Sequence, residues 1–345
     1  MAIPLSVLDL SPVDSGSTSA QALRNTIELA RQADKLGYKS YWLAEHHNTV
    51  SLVSSAPEIM IGHVAAATTN IRVGSGGIML PNHAPLKVAE TFRVLEALHP
   101  GRIDLGIGRA PGTDRITALA LRGSQGTSGA DDFPELLAEL LAFTGGQFPE
   151  RHPFRSVKAT PDDVDLPPIW LLGSSGYSAQ AAAQLGLGFA FAHHISPDAA
   201  IPATQLYRDN FTPSVYLKEP HIILATSAIC AETDERAEYL ASSMRLAWAR
   251  MQSGKSAPIP SPEEASAYNY TPLELAHVQA YRARQTLGSP ATVKARLLEL
   301  VEQTGANELM ITTLIYGHEN RVRSYELLAE AFELQRPAMT TSNVA

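Results

Sequence analysis

Cysteine is almost absent from this chain, with Cys230 the single example among 345 residues. One thiol cannot form an intramolecular disulfide, so the core must hold the fold, and a reducing compartment is expected. The sequence also has no apolar run long enough to cross a bilayer and no basic, apolar leader at its start. We therefore expect a cytoplasmic protein that does not enter a membrane.

Clustered positive charge is missing as well. The net charge is −8 at pH 7 and no Lys/Arg cluster occurs, which argues against nucleic acid as a partner. Apolar residues make up 45% of the chain, as in ordinary globular proteins, and the length allows a large core. These totals favour a soluble globular enzyme with one large or two medium domains.

Short apolar runs alternate with amphipathic stretches along the chain. The runs predict strands at 3–10, 38–45, 71–80, 102–109, 169–172, 188–194, 221–230 and 308–315. The stretches predict helices at 21–36, 57–69, 85–98, 131–143, 178–185, 198–211, 234–251, 290–304 and 320–335. About eight strand–helix repeats in this length predict one (β/α)8 TIM barrel over residues 1–336. Residues 253–287 form an irregular insertion, and 337–345 a tail.

A doubly wound parallel sheet is the alternative architecture. It would need a dinucleotide fingerprint after the first strand, and SPVDSGSTS at 11–19 is not one. The fragment GSGGIM at 74–79 lacks the last glycine of the fingerprint and lies within an apolar run. The barrel is therefore the favoured fold.

Polar residues and glycines follow several of the predicted strands. In a TIM barrel these positions meet at the C-terminal rim, where active sites lie. The residues concerned are Asp9, Glu45, His46, His47, Gly76, Gly77, Arg109, Gly173, Ser174, Ser175, His193, His194 and Tyr316. Packing alone does not explain so polar a set, so we expect the active site at this rim.

The adjacent histidines His46 and His47 invite a metal site. Neighbours on a strand point to opposite faces, so they could bind one ion only if the strand ended there, and the first strand offers no histidine. A structural role, through a hydrogen bond to Glu45 or a backbone carbonyl, is expected for one of them. The other, preferably His46, would face the cavity as a general base.

The segment GSSGYS at 173–178 lies between a predicted strand and a helix. Free N–H groups at the helix start, with the Ser175 and Ser178 hydroxyls, would bind a phosphate. A plain N-cap is the simpler alternative, but one serine would satisfy it. Arg109, at the end of the neighbouring strand, would supply a bidentate charge partner.

Gly76 and Gly77 fall near the end of the third predicted strand, where glycine weakens pairing. Two adjacent glycines indicate either close approach by a flat ligand or a backbone geometry that other residues resist. A β-bulge is the alternative explanation.

Nearly the whole chain resembles the bacterial luciferase-like, flavin-dependent monooxygenases, in particular the single-subunit members. The resemblance rests on AEHHN at 44–48, VGSGGIMLPNHAPLKVAE at 73–90, GRIDLGIGRAPGTD at 101–114, LLGSSGYSAQ at 171–180 and GSP at 288–290. It implies a barrel that binds FMNH2 from a separate flavin reductase. With O2 a C4a-hydroperoxide would form and oxygenate a small apolar substrate such as an aldehyde.

The resemblance also implies roles for particular residues. His46 matches the catalytic histidine, and Gly76–Gly77 falls where luciferase has a non-prolyl cis peptide against the flavin. The candidate cofactor-binding set is Gly76, Gly77, Arg109, Ser174, Ser175, Gly176, Tyr177 and Ser178. The candidates for the substrate pocket are Asp9, His47 and His193, the last where luciferase carries an aromatic residue. No metal is implied.

Residues 253–287 match the position of a mobile lid, and the family pairs as a homodimer through the region of 57–69. Two related functions stay open on the same barrel: an F420-dependent oxidoreductase and an FMN-binding protein without catalysis. A metal hydrolase is a more distant alternative. The substrate itself cannot be read from the sequence.

Overall fold

The computed structural model describes residues 3–122, 132–145 and 148–335. Its strands are β1 (Leu5–Asp9), β2 (Ser40–Leu43), β3 (Arg72–Ser75), β4 (Ile78–Met79), β5 (Ile103–Gly108), β6 (Ile169–Gly173), β7 (Gly188–Ala192), β8 (Ile222–Cys230), β9 (Thr286–Gly288) and β10 (Glu308–Thr312). Eight of them pair in parallel in the order β1, β2, β3, β5, β6, β7, β8, β10. Pairing of β10 with both β8 and β1 closes the ring. The TIM barrel is confirmed.

Helices lie between the strands. They are α1 (Ser19–Leu36), α2 (Pro57–Ala67), α3 (Pro85–Leu98), α4 (Arg115–Arg122), α5 (Phe133–Phe143), α6 (Gly176–Leu185), α7 (Ala200–Asp209), α8 (Asp234–Gln252), α9 (Pro262–Ala267), α10 (Pro272–Arg282), α11 (Pro290–Thr304) and α12 (His318–Ala331). Local chemistry sets their ends: the Thr18 side chain accepts from the Gln21 N–H, and Gly37 ends α1 with φ 86°. No helix in the described ranges is long and apolar enough to span a membrane.

The core has two layers. The larger one packs the helices against the outside of the barrel and is formed by residues such as Leu29, Ile61, Phe92 and Tyr325. A smaller cluster fills the barrel interior: Leu8, Trp42, Ala44, Ala190, Ile223, Ala225 and Met310. The Trp42 and Trp170 rings meet edge to face, with centroids 5.8 Å apart. This inner cluster forms the floor beneath the C-terminal rim.

Two predicted segments differ from the structure. The strand predicted at 71–80 is divided into β3 and β4, which flank a cis peptide between Gly76 and Gly77. The insertion at 253–287 is not irregular, because it contains α9, α10 and β9. Ser261 caps α9, and Thr271 forms a capping box with Glu274 at the start of α10. These caps fix both helices although their composition is polar.

Helix α4 was not predicted. At its start the Asp114 carboxylate accepts hydrogen bonds from the N–H groups of Ile116 and Thr117. Such a cap depends on one polar residue, so the spacing of apolar residues does not reveal it. The predicted tail at 337–345 and the first residue of the predicted helix at 131–143 lie outside the described residues.

Candidate active site

A cavity opens at the C-terminal rim of the barrel, above the inner cluster. It encloses about 1120 Å³, part of it open to solvent, and we call it the rim cavity. Its polar or backbone-forming lining residues include His46, Gly76, Arg109, Gly173, Ser174, Ser175, Ser178 and His194. Five strand ends that are far apart in sequence thus contribute to one site, as the barrel topology predicts.

His46 lies just beyond β2 and lines the rim cavity. Its backbone N–H donates to the Ser54 carbonyl at 2.8 Å, and its ring Nδ1 lies 3.5 Å from the Ser54 hydroxyl. Burial lowers the pKa of His46, and the neighbouring His194 lowers it further. The imidazole is therefore neutral near pH 6.5 and able to accept a proton.

Glu45 fixes the backbone on both sides of His46. Its fully buried carboxylate accepts from His47 Nε2 at 2.9 Å, from His83 Nε2 at 3.0 Å and from the Met79 N–H at 2.8 Å. Burial raises the pKa of Glu45, but the hydrogen bonds and charge of its partners outweigh it, so the pKa is lowered. The carboxylate is thus ionised and joins β2 to β4 at the rim.

The peptide between Gly76 and Gly77 is cis, as the resemblance implied. Gly76 lines the rim cavity, whereas Gly77 is not among its lining residues. A Cβ on Gly76 would lie 2.5 Å from Leu8 Cδ1, and one on Gly77 would lie 2.8 Å from the Gly106 carbonyl oxygen. Neither position has room for a side chain, so bare backbone faces the cavity at Gly76.

The loop before α6 forms the opposite end of the rim cavity. Ser175 occupies the N-cap position in extended backbone, yet its side chain makes no capping hydrogen bond. The plain N-cap explanation therefore fails, and the hydroxyl and first-turn N–H groups are free to bind an anion. A Cβ on Gly173 would fall 2.4 Å from Ser178 Oγ, so the glycine lets Ser178 lie close beneath the loop.

Arg109 brings positive charge to the same end. It follows β5, and its guanidinium lies over the Tyr177 ring in the first turn of α6. No hydrogen bond or ion pair to Arg109 is found within the described ranges. Tyr177 and Gly176 do not line the rim cavity themselves. Tyr177 instead holds the arginine beside the helix start, in an arrangement suited to phosphate.

The three substrate-pocket candidates lie outside the rim cavity. Asp9 is fully buried and forms an ion pair with Arg321 at 2.5 Å. Burial raises its pKa, but the charge of Arg321 and the hydrogen bonds that the carboxylate accepts together outweigh burial, so the pKa is lowered. His47 is engaged by Glu45. His193 is buried with Nδ1 3.0 Å from the Thr226 hydroxyl. Each of the three side chains thus has a protein partner outside the rim cavity, and a role in the substrate pocket stays a prediction.

His194 takes the place that His193 was expected to fill, because it lines the rim cavity. Its Nδ1 lies 2.9 Å from the Ala225 carbonyl oxygen, which can only accept, so Nδ1 carries the proton. Burial lowers the pKa of His194. The neutral ring therefore offers Nε2 as an acceptor, opposite the neutral His46.

All residues of this site lie within the part of the chain that matches a known family. The family model described as luciferase-like monooxygenase matches residues 3–308. This chain belongs to the luciferase-like monooxygenase family. A luciferase-like monooxygenase of Escherichia coli K12 is 42% identical over 331 residues, which cover 96% of this chain and 97% of that protein.

Solved structures similar to this family member include two that are useful for comparison. The crystal structure of apo-MsnO8 has 42% sequence identity and a TM-score of 0.88, and the match covers 97% of this chain and 99% of that one. The oxygenating constituent of 3,6-diketocamphane monooxygenase from Pseudomonas putida has 21% identity and a TM-score of 0.69 over 98% of this chain and 100% of that chain. At that identity the second likeness shows the fold alone.

Proposed function

We propose that this luciferase-like monooxygenase is FMN-dependent: it takes FMNH2 from a separate flavin reductase and uses O2 to oxygenate a small substrate such as an aldehyde. The observation that carries the proposal is the anion site, where Arg109 meets the uncapped start of α6. The Pseudomonas putida constituent named above is described in complex with FMN, which agrees with this assignment.

The residues of the rim cavity fit FMN end by end. Arg109, Ser174, Ser175 and Ser178 would hold the phosphate through charge, hydroxyls and backbone N–H groups. The side-chain-free backbone at Gly76 would accept the flat ring, with His46 and His194 near it. Bound in its reduced form, the flavin supplies the two electrons with which O2 is activated.

His46 would move protons during turnover. In the overall reaction one oxygen atom of O2 enters the substrate and the other leaves as water, which requires protons at the site. A neutral imidazole that faces the cavity can accept and return one. Glu45 keeps the backbone beside His46 in place through Met79 and His83. The apolar floor of Leu8, Trp42 and Met310 keeps water scarce around the ring.

A flavin titration tests the cofactor assignment. The protein is titrated without oxygen with reduced FMN, reduced riboflavin and reduced F420, with binding followed by fluorescence. We expect FMN to bind at least about tenfold more tightly than riboflavin, because riboflavin lacks the phosphate that forms charge-assisted hydrogen bonds. Equal binding of FMN and riboflavin, or preference for F420, would overturn the proposal.

We also propose a homodimer that forms through α2. Ile59 on this helix is 59% exposed, a large apolar side chain that a partner copy would cover. Sedimentation at micromolar concentration is expected to show a dimer for the wild type and a monomer for Ile59→Arg. A wild-type monomer would contradict the pairing.

A further inference from the structure

A second cavity adjoins the rim cavity and is lined mostly by other residues. It has a volume of about 1170 Å³, part of it open to solvent, and we call it the outer cavity. Ser227 of β8 and Thr312 at the end of β10 line one side. Helix α8 and the segment after α10 line the other. Leu10, His194 and Ile195 line both cavities. A molecule in the outer cavity would therefore reach the ring end of the flavin site.

The walls of the outer cavity are largely apolar. Met244, Trp248 and Met251 face it from α8, and Ile259 faces it from the following segment. The Trp248 ring stacks on Tyr281 of α10 with centroids 5.1 Å apart, which makes this wall firm. No acidic side chain is found among its described lining residues. The cavity suits an aliphatic or aromatic body and does not attract a cation.

Thr312 offers a hydrogen bond to a polar atom at the inner end of the outer cavity. Its side chain is 3% exposed and lines the outer cavity, yet its Oγ1 has no hydrogen-bond partner within the described residues. A buried hydroxyl without a partner is costly, so a native ligand or water is expected to satisfy it. Met310, two residues earlier on β10, lines the rim cavity, so Thr312 shares the strand face that looks towards the flavin site.

Arg284 supplies charge at the outer end. It follows α10, lines the outer cavity and is exposed. The nearby arginines Arg245 and Arg282 both pair with Glu238, and Arg250 pairs with Glu264. Arg284 has no carboxylate partner within the described ranges. A guanidinium left unpaired at the mouth of an apolar cavity is suited to a carboxylate.

We propose that the outer cavity binds the substrate and that this substrate is an amphipathic organic acid. Its apolar body lies against Met244 and Trp248, its oxidisable end lies near Thr312 and His194, and its carboxylate binds Arg284. The inference rests on the proposed function, since it assigns the flavin to the rim cavity, and it narrows the substrate to compounds with an anionic group remote from the reacting end.

Calorimetric titration of the flavin-free protein tests the assignment. Octanoate and octan-1-ol are the probes, because they share chain length and differ in charge. We expect Arg284→Gln to weaken octanoate binding about tenfold or more, since a charge-assisted bidentate contact is lost, and to leave octan-1-ol unchanged. Arg282→Gln is the matched control, because Arg282 does not line the cavity, and it should bind octanoate like the wild type.

Three outcomes would overturn the inference: no octanoate binding at millimolar concentration, equal affinity for both probes, or an octanoate affinity that is the same in Arg284→Gln and the wild type. The last outcome would place the carboxylate at the inner end of the cavity. Ala247→Trp, which fills the outer cavity from α8, should abolish binding of both probes; retained binding would place the site elsewhere. FMN titration of the same samples is independent, so its failure would remove the proposed cofactor without altering these results.

Discussion

The guanidinium carbon of Arg109 lies 4.2 Å from the centroid of the Tyr177 ring. Arg109 follows β5, and Tyr177 belongs to the first turn of α6, so this contact joins the two halves of the anion site. The arginine is held by an aromatic face rather than by a carboxylate. Its charge therefore remains available to a ligand.

Arg109→Ala should weaken FMN binding by about 10- to 100-fold, because charge-assisted hydrogen bonds to the phosphate are lost. Riboflavin lacks the phosphate, so its affinity should change by no more than about threefold. Tyr177→Phe is the control, since it keeps the ring under the guanidinium and should leave FMN affinity unaltered. Fluorescence titration measures these dissociation constants, and an equal loss of affinity for both flavins would refute the phosphate role.

Ser175→Ala should separate ligand binding from helix capping. Because the Ser175 side chain makes no capping bond, its loss should lower the free energy of unfolding by less than about 0.5 kcal/mol while FMN affinity falls. Thr18→Ala is the matched control, because the Thr18 side chain accepts from Gln21, and it should cost about 1 kcal/mol. If urea unfolding shows that both substitutions lower the free energy of unfolding equally, Ser175 stabilises the helix as a cap.

His46→Gln should lower turnover by about 100-fold or more, as expected for a lost proton acceptor, with FMN affinity retained. Burial lowers the pKa of His46, so the neutral form persists below pH 6.5. The acid limb of the wild-type pH–rate profile should therefore fall below pH 6.5, and the variant should lack it. His47→Gln, beside it, should retain that limb. A limb that persists in His46→Gln would assign the proton to another group.

Glu45→Gln should flatten the pH dependence of stability. The pKa of Glu45 is lowered, so its contribution is complete above pH 4.5 and is lost as the pH falls through the lower folded value. Burial lowers the pKa of His83, but the hydrogen bond and charge of Glu45, together with the charge of Glu58, outweigh burial, so the pKa is raised. The contribution of protonated His83 to stability is complete below pH 6.5 and is lost as the pH rises through the raised pKa of the folded state. Urea unfolding from below pH 4.5 to above pH 6.5 measures the free energy of unfolding, which should fall at both ends of this range in the wild type and at neither end in Glu45→Gln.

Local motifs located several residues of the rim. The segment 173–178 and the Gly76–Gly77 pair could be singled out because each depends on a few adjacent residues, and the resemblance implied the cis peptide between the two glycines. The barrel followed from the alternation of short apolar runs with amphipathic helices. His194 was not selected, because the choice between adjacent histidines depends on where β7 ends, and it ends at Ala192.

A long-range partner explains why Asp9 does not line the rim cavity. Asp9 looked reactive at a strand end, but its guanidinium partner, Arg321, lies 312 positions later in the chain. No residue near Asp9 in the sequence indicates that pairing. The capping residues Ser261 and Thr271, in contrast, were visible in the sequence and show that a polar insertion can be helical.

Oxygen-18 labelling tests the central claim most directly. The protein is supplied with FMNH2 by a flavin reductase under labelled O2, with medium-chain aldehydes and their ω-carboxylated analogues as substrates, and the products are weighed by mass spectrometry. The account predicts a carboxylic acid product with one oxygen atom derived from O2. Product without the label, or the same acid formed without O2 while oxidised F420 accepts the hydride, would contradict it.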